Sequence, residues 1–226
     1  MMIDLLTGFG LRLSIGICLI GLLARGVIYI KGLNWQLDRV AYTAHPVAGL
    51  KGAARSIFFW ILPFASRGWR VQPRMTLLFF VFHAGVIGIF LFLFAHNMIF
   101  QKTFGVSLAV LPRAAADGLS WGAVISAFFL MLRRMVTPEV RILTTASDYM
   151  LLLLSAAPLI TGLICHYTPA GYSFWLTAHI LSGEVLLVMI PFTRLSHAVL
   201  FFLSRAQLGM DFGIKRGGMK GKGMAW

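Results

Sequence analysis

The stretch from Tyr172 to Ser204 is long, largely apolar and carries two histidines. A run of this length and hydrophobicity predicts a helix that crosses a membrane. His179 and His197 are eighteen residues apart, which is five whole turns at about 100° per residue, so both imidazoles are expected on one face of that helix. At about 1.5 Å per residue they lie roughly 27 Å apart, near opposite sides of a hydrocarbon core of about 30 Å. Ionisable side chains inside a membrane are costly and mark function by default.

A second apolar segment, from Met75 to Phe100, also holds two histidines. His83 and His96 are thirteen residues apart, about 20 Å along a helix axis and about 220° around it, so they do not share one ideal face. A tilt or a local irregularity has to re-aim one of them. Pro191, between the two histidines of the first stretch, is a candidate for a kink that would alter the other spacing.

The composition is that of an integral membrane protein, because 59% of the 226 residues are hydrophobic and only 12% are charged. Three further apolar segments bring the number of candidate spans to five: about Leu11 to Ile30, Ala114 to Val136 and Asp148 to Cys165. The predicted fold is therefore all-α, a single membrane bundle of five transmembrane helices. This membrane domain takes up residues 1–208, and residues 209–226 form a basic tail.

The basic residues give the orientation of this bundle. They collect between the first and second helices, after the third and after the fifth, whereas the connection between the second and third has only Lys102 and Arg113. The positive-inside rule then predicts a periplasmic N-terminus and a cytoplasmic C-terminus in the inner (cytoplasmic) membrane of a bacterium. The net charge of +13 is explained by this pattern and by anionic headgroups, so no nucleic-acid partner is predicted.

The connection over residues 32–73 is too long for a simple turn. Within it, GLKGAARSIFFWILP has two cations followed by a bulky apolar run that is too short to span a membrane. This pattern predicts an amphipathic helix in the cytoplasmic interface, with a partner surface as the alternative. The tail from Gly209 is expected to be mobile unless a partner orders it.

The four intramembrane histidines form two pairs at matching depths if the second and fifth helices run in opposite directions. His83 then pairs with His197 on the cytoplasmic side, and His96 pairs with His179 on the periplasmic side. Two imidazoles supply the two axial nitrogens of a b-type haem, and an iron saturated in this way favours electron transfer. There is no CxxCH motif, so such haems would be held non-covalently, and two cysteines are too few for an iron–sulfur cluster. The alternative is that each histidine bonds a neighbouring helix.

Other polar residues have less specific interpretations. Glu184 lies about 140° around the helix from His179, which favours a protonated or paired carboxyl that faces another helix. His166 is expected to cap a helix end, with a quinone site or a proton path as the alternative. At the cytoplasmic end, Arg194 is the candidate cation for a haem propionate, with Arg74 and Arg205 as alternatives. The glycines that would let a macrocycle approach the backbone are Gly85, Gly88 and Gly183.

The two histidine motifs, FHAGVIGIFLFLFAH and AHILSGEVLLVMIPFTRLSH, resemble the gamma subunit of respiratory nitrate reductase. The wider spacing in the first motif, and the Asn that follows it, are similar to relatives in sulfate reducers, the small cytochrome b subunits of high-molecular-weight cytochrome c transmembrane complexes. The resemblance implies an electron-transfer subunit with two haems b and menaquinone exchange near one of them. It also implies partner subunits, a periplasmic multihaem cytochrome c and a cytoplasmic iron–sulfur protein. The haem ligands it implies are His83, His96, His179 and His197.

Two other classes of function remain open from the sequence. A haem-free structural anchor of a redox complex would have the same spans and no chromophore. A transporter or proton channel would use the intramembrane His and Glu residues, and it is expected to have discontinuous helices or an internal repeat. Neither feature is evident in the sequence.

Overall fold

The structure is a computed structural model that describes residues 2–33 and 46–215, and all regular secondary structure in those ranges is helical. A π-helical turn, Leu6–Gly10, joins the first two helices, and a 3₁₀ turn, Arg194–Ser196, precedes the last. In chain order the helices are α1 (Met2–Leu5), α2 (Leu11–Lys31), α3 (Pro46–Ile61), α4 (Arg67–Val71), α5 (Pro73–Phe92), α6 (Phe94–Phe104), α7 (Arg113–Val136), α8 (Pro138–Ile142), α9 (Ala146–Tyr167), α10 (Tyr172–Met189) and α11 (His197–Lys215).

Five helical stretches of the described chain are long and apolar enough to cross a membrane, as the sequence predicts. The third of them is confirmed as α7 although its apolar run is short. The protein is therefore a multi-pass membrane protein of helical architecture. The five stretches are Ile3–Lys31, Pro73–Phe92, Arg113–Val136, Ala146–Tyr167 and Tyr172–Met189.

The prediction of one continuous helix from Tyr172 to Ser204 is wrong. Helix α10 ends at Met189, and a turn at residues 190–193 separates it from the residues that follow. The cause is Pro191, which has no N–H to donate and whose ring clashes with the preceding turn of a helix. Pro191 is also fully buried, and a Cβ added at Gly21 would lie 2.6 Å from its Cβ, so the turn is fixed by close packing on α2.

This break overturns the argument from five whole turns. His179 lies in α10, whereas His197 is the first residue of α11. The two imidazoles therefore do not share one face of one helix, and their eighteen-residue spacing carries no geometric meaning.

The second predicted span is also divided, here at Leu93, which has extended backbone angles (φ −71°, ψ 136°). Helix α5 ends at Phe92 and α6 begins at Phe94. The local irregularity expected between His83 and His96 is thereby confirmed. The Phe92 carbonyl, released by the break, accepts a hydrogen bond from the Leu111 N–H at 2.9 Å.

The described chain divides into two compact units. The first comprises residues 2–17 and 77–189, and its core lies where α5, α7 and α9 pack together. Small residues let these helices approach closely: a Cβ at Gly85 would collide with the Cβ of Ala123 and the Leu119 carbonyl. Gly85 thus serves helix packing, and the expectation that it makes room for a macrocycle is wrong. The core residues are Phe82, Ala123, Ala127, Ala156 and Leu159.

The second unit comprises residues 18–33, 46–76 and 190–215, within which α3 packs along α11. Helix α3 is the predicted amphipathic helix, and it approaches α11 so closely that a Cβ at Gly209 would overlap the Gly52 carbonyl. The proposed division at residue 208 falls inside α11, which continues to Lys215. Residues 209–215 belong to α11, residues 216–226 lie outside the described chain, and the mobility of the tail stays a prediction.

Candidate functional site

The first unit contains a cavity of about 950 Å³. Its walls come from the N-terminal helix, the end of α5, α6, the segment 106–112, α7, α9 and α10, and they are mostly apolar. Ligand pockets in proteins typically have about 300–1,000 Å³. His96 and His179 both line this cavity.

The carbonyls at the end of α5, beside the break at Leu93, hold the His96 side chain. The Nδ1–H of His96 donates to Phe90 O at 3.2 Å and to Ile89 O at 3.0 Å, and Ile89 O also accepts from the Leu93 N–H at 3.2 Å. Because a carbonyl oxygen only accepts, Nδ1 carries the proton and Nε2 is left with its lone pair. His96 is therefore in the tautomer that can ligate a metal through Nε2.

His179 is held in the same tautomer, across two helices. Its Nδ1–H donates to the carbonyl oxygen of Pro158 in α9 at 2.9 Å. The ring fits because α9 has a glycine at the contact: a Cβ at Gly162 would lie 3.1 Å from both Cε1 and Nδ1 of His179. Nothing in the sequence around Gly162 signals this role, since glycine is common in membrane helices.

The structure brings His96 and His179 together, as predicted for the periplasmic-side pair. Their ring centroids are 5.8 Å apart and their planes differ by only 7°. Two imidazoles that ligate one metal from opposite sides, at the roughly 2 Å typical of metal–histidine bonds, need ring centroids roughly 6 Å apart. The observed centroid separation of 5.8 Å is close to this value.

The other two predicted ligands show the same backbone contact. The Nδ1–H of His83 donates to Phe79 O at 2.8 Å, and that of His197 donates to Arg194 O at 2.9 Å. All four predicted ligands thus present Nε2 rather than Nδ1. His83 belongs to the first unit and His197 to the second, so their pairing stays a prediction.

The three arginines predicted to meet propionates were expected at the cytoplasmic-side site, not at this cavity; all three lie in the second unit, and their role stays a prediction. Arg205 instead places its guanidinium 4.6 Å from the centroid of the Trp60 ring, a cation–π contact within that unit. Arg74 is exposed at the start of α5. Arg194 contributes its carbonyl to His197.

Glu184 lines the cavity and faces another helix, as the sequence predicts. A Cβ at Gly10 would lie 2.7 Å from its Oε1, so the carboxyl is seated against the π-helical turn Leu6–Gly10. Among the described residues its buried Oε1 has no hydrogen-bond partner. An unpartnered buried carboxyl oxygen is costly, so this carboxyl is an uncommon feature of a helix interface.

A charged cluster at one end of the cavity was not foreseen from the sequence. Asp117 lies between Arg113, whose Nε is 3.9 Å from Oδ2, and His166, whose Nε2 is 3.6 Å from Oδ1. All three line the cavity. In the described parts of the chain no group of three or more His, Cys, Asp or Glu residues could hold a bare metal ion.

The fold and the cavity define a class: an all-helical, multi-pass membrane protein with a paired-histidine pocket. The chain belongs to the same family as a protein of Nitratidesulfovibrio vulgaris (strain Hildenborough), with which it is 49% identical over 222 residues that cover 98% of each chain. The description of that relative, "Protein", names no activity or ligand. No protein-family model matches the chain, and no solved structure matches it significantly.

Proposed function

We propose that the protein is a di-haem cytochrome b subunit that conducts electrons across the membrane between redox partners on its two sides. The observation that carries this proposal is the facing pair of His96 and His179, each fixed by a backbone carbonyl so that Nε2 is available. Structural histidines in membrane helices also bond carbonyls, but they have no need to meet in parallel across a cavity of ligand size.

The residues present fit a haem on chemical grounds. A porphyrin brings four nitrogen donors of its own, so the chain has to supply only two, and a cluster of three ligating side chains is not required. The mostly apolar walls of the cavity suit the face of a macrocycle. When bound, haem would supply one-electron redox chemistry, and two imidazole ligands from the chain would favour electron transfer over binding of dioxygen.

The chain's own part in this function is to hold the two rings and exclude water. A carbonyl that accepts the Nδ1 proton fixes the orientation of a ligating imidazole and increases the basicity of its Nε2. Pro158 O and the carbonyls at the end of α5 take that role here. A more basic ligand stabilises the oxidised metal, so these contacts favour a lower redox potential.

The second haem is assigned to His83 and His197, because both have the same Nδ1 contact as the first pair. With the N-terminus periplasmic, the His96–His179 site lies toward the periplasm and the other toward the cytoplasm. The proposed partners are a periplasmic multihaem cytochrome c and a cytoplasmic iron–sulfur protein, in the inner membrane, with menaquinone exchange near one haem. These finer assignments rest on the likeness of the histidine motifs to those of membrane cytochromes b.

A transporter is the main alternative to the cytochrome. The sequence argument against a transporter was that no discontinuous helices were evident. The breaks at Leu93 and at residues 190–193 remove that argument. A transporter or a haem-free anchor would, however, purify without a chromophore, whereas a cytochrome b has a characteristic absorption spectrum.

The test is to purify the protein, expressed with its partners and with adequate haem, and to count its haems. We expect two per chain, extractable with acidified acetone. His96→Ala and His179→Ala should each remove the same optical redox wave, and His83→Ala and His197→Ala should remove the other. Met98→Ala, an exposed truncation on the helix of His96, should keep both. A haem content near zero in the wild type would refute the proposal.

A further inference from the structure

The cavity lined by His96 and His179 also has charged or acidic side chains at two separate positions. One is the cluster of Arg113, Asp117 and His166, and the other is Glu184 beside the π-helical turn. The cluster is open to solvent, since the Arg113 side chain is 81% exposed and the His166 side chain 41%. The Oε1 of Glu184 is buried and has no hydrogen-bond partner among the described residues. The cavity therefore has an exposed rim with a cation and an acid, and a separate buried corner with an acid alone.

Arg113 has donors to spare at this rim. Its Nε lies 3.9 Å from Oδ2 of Asp117, which is longer than a hydrogen bond. A guanidinium carries five N–H donors in a planar fork that matches a carboxylate. Asp117 holds the Arg113 side chain near the cavity mouth without using that fork.

We propose that Arg113 binds the paired carboxylates of the cofactor and so orients it, with its propionate edge at the rim and its apolar edge inward. This inference rests on the proposed function. Ionised carboxylates are costly to bury without donors, and the corner at Glu184 offers a further acid rather than a cation. Among the described residues that line the cavity, Arg113 at the rim is the one Arg or Lys side chain.

The depth of the ligands agrees with this orientation. His179 is seven residues from Tyr172 at the start of α10, which is about 10 Å along the axis. Asp117 and His166 lie at the same end of the unit, because α7 begins and α9 ends there. A macrocycle ligated at His179 would therefore extend one edge toward the rim.

Asp117 is assigned as a positioning residue that acts through Arg113. Its negative charge lies beside the cation, so the two residues should move the redox potential of the haem in opposite directions. Loss of a nearby positive charge stabilises the oxidised haem and lowers the potential, whereas loss of a nearby negative charge raises it. If either residue had a purely structural role, the two substitutions would not shift the redox potential in opposite directions.

The experiment uses the holo-protein and follows the redox wave that His96→Ala removes. Arg113→Gln should lower the midpoint potential of that wave and speed haem transfer to apomyoglobin by about tenfold, the effect of one charge-assisted hydrogen bond. Arg113→Lys keeps the positive charge, so the midpoint potential should stay as in the wild type. Haem transfer to apomyoglobin should speed up less than in Arg113→Gln. Asp117→Asn should shift the potential upward. The matched control is Lys102→Gln, an exposed cation on α6 that does not line the cavity.

The possible outcomes separate the orientation of the cofactor, the positioning role of Asp117 and the proposed function. If Arg113→Gln behaves as Lys102→Gln in both measurements, while the wild type holds a haem that His96→Ala removes, the orientation is refuted and the proposed function stands. If Arg113→Gln and Asp117→Asn shift the potential in the same direction, the positioning role is refuted. A wild-type protein without haem would refute the inference together with the function on which it rests.

Discussion

Asn97, the residue after His96, ties the far wall of the cavity to α6. It is buried, and its amide forms two hydrogen bonds with one backbone unit: Nδ2 donates to Leu108 O at 2.6 Å, and Oδ1 accepts from the Leu108 N–H at 2.9 Å. Leu108 lies in the segment 106–112, which has no regular secondary structure. Two hydrogen bonds with Asn97 therefore take the place of a helix or a sheet in holding this segment.

The cost of removing them follows from that count. A net hydrogen bond contributes about 0.5–1.5 kcal/mol, so Asn97→Ala should lower the free energy of local opening of the segment by about 1–3 kcal/mol. At 1.4 kcal/mol per factor of ten, backbone amide exchange there should accelerate by about 5- to 140-fold. Asn97→Asp would place a buried carboxylate oxygen against the Leu108 carbonyl, so its effect should be at least as large.

The assay is hydrogen exchange measured by mass spectrometry on a peptide that covers residues 106–112, with the protein in detergent or nanodiscs. Met98→Ala is the matched control, since Met98 follows Asn97 on α6 and is 54% exposed. Because Val110 and Leu111 line the cavity, the Asn97→Ala variant should also lose haem faster than the control. Equal exchange of this peptide in Asn97→Ala and Met98→Ala would refute the assignment of Asn97 as the residue that holds the segment.

Two further predictions concern the His179 contact and the orientation. Gly162→Ala should press a methyl group against His179 and weaken its hydrogen bond to Pro158, so the haem should be retained roughly fivefold less well. The control is Gly118→Ala, which has nothing within 4 Å of the new Cβ and should bind haem as the wild type does. Equal haem retention in both variants would contradict the contact. Reporter fusions after Lys31 should report cytoplasm, and a fusion near Arg113 should report periplasm; the reverse pattern would invert the sides assigned to both haem sites.

The two helix breaks show how a membrane chain can orient a histidine ring through the backbone around it. Beside the break at Leu93, carbonyls at the end of α5 hold the His96 ring. At Pro191 it starts a new segment in which His197 meets the carbonyl of Arg194. Non-helical backbone at membrane depth is tolerated where such groups find partners inside the protein. The breaks therefore belong to the construction of the histidine sites.

The sequence by itself determined the fold class and the number of candidate spans, because a long apolar run is a local property that only a helix can satisfy in a membrane. It also indicated which histidines to examine, because a histidine inside a long apolar run is unusual whatever the exact bounds of the helix. The partnership of His96 with His179 followed from connectivity alone, because sequential helices alternate in direction.

The tertiary structure decided what depends on contacts between residues that are distant in the chain. Leu93 is an ordinary apolar residue in the sequence, and the break there is accompanied by bonds from the segment 106–112, between Phe92 and Leu111 and between Asn97 and Leu108. The same holds for Gly162, whose missing side chain matters only because a ring of α10 lies against it. Periodicity reports which face a residue takes on an ideal helix, but not where the helix ends, because the end is fixed by whatever packs and bonds there.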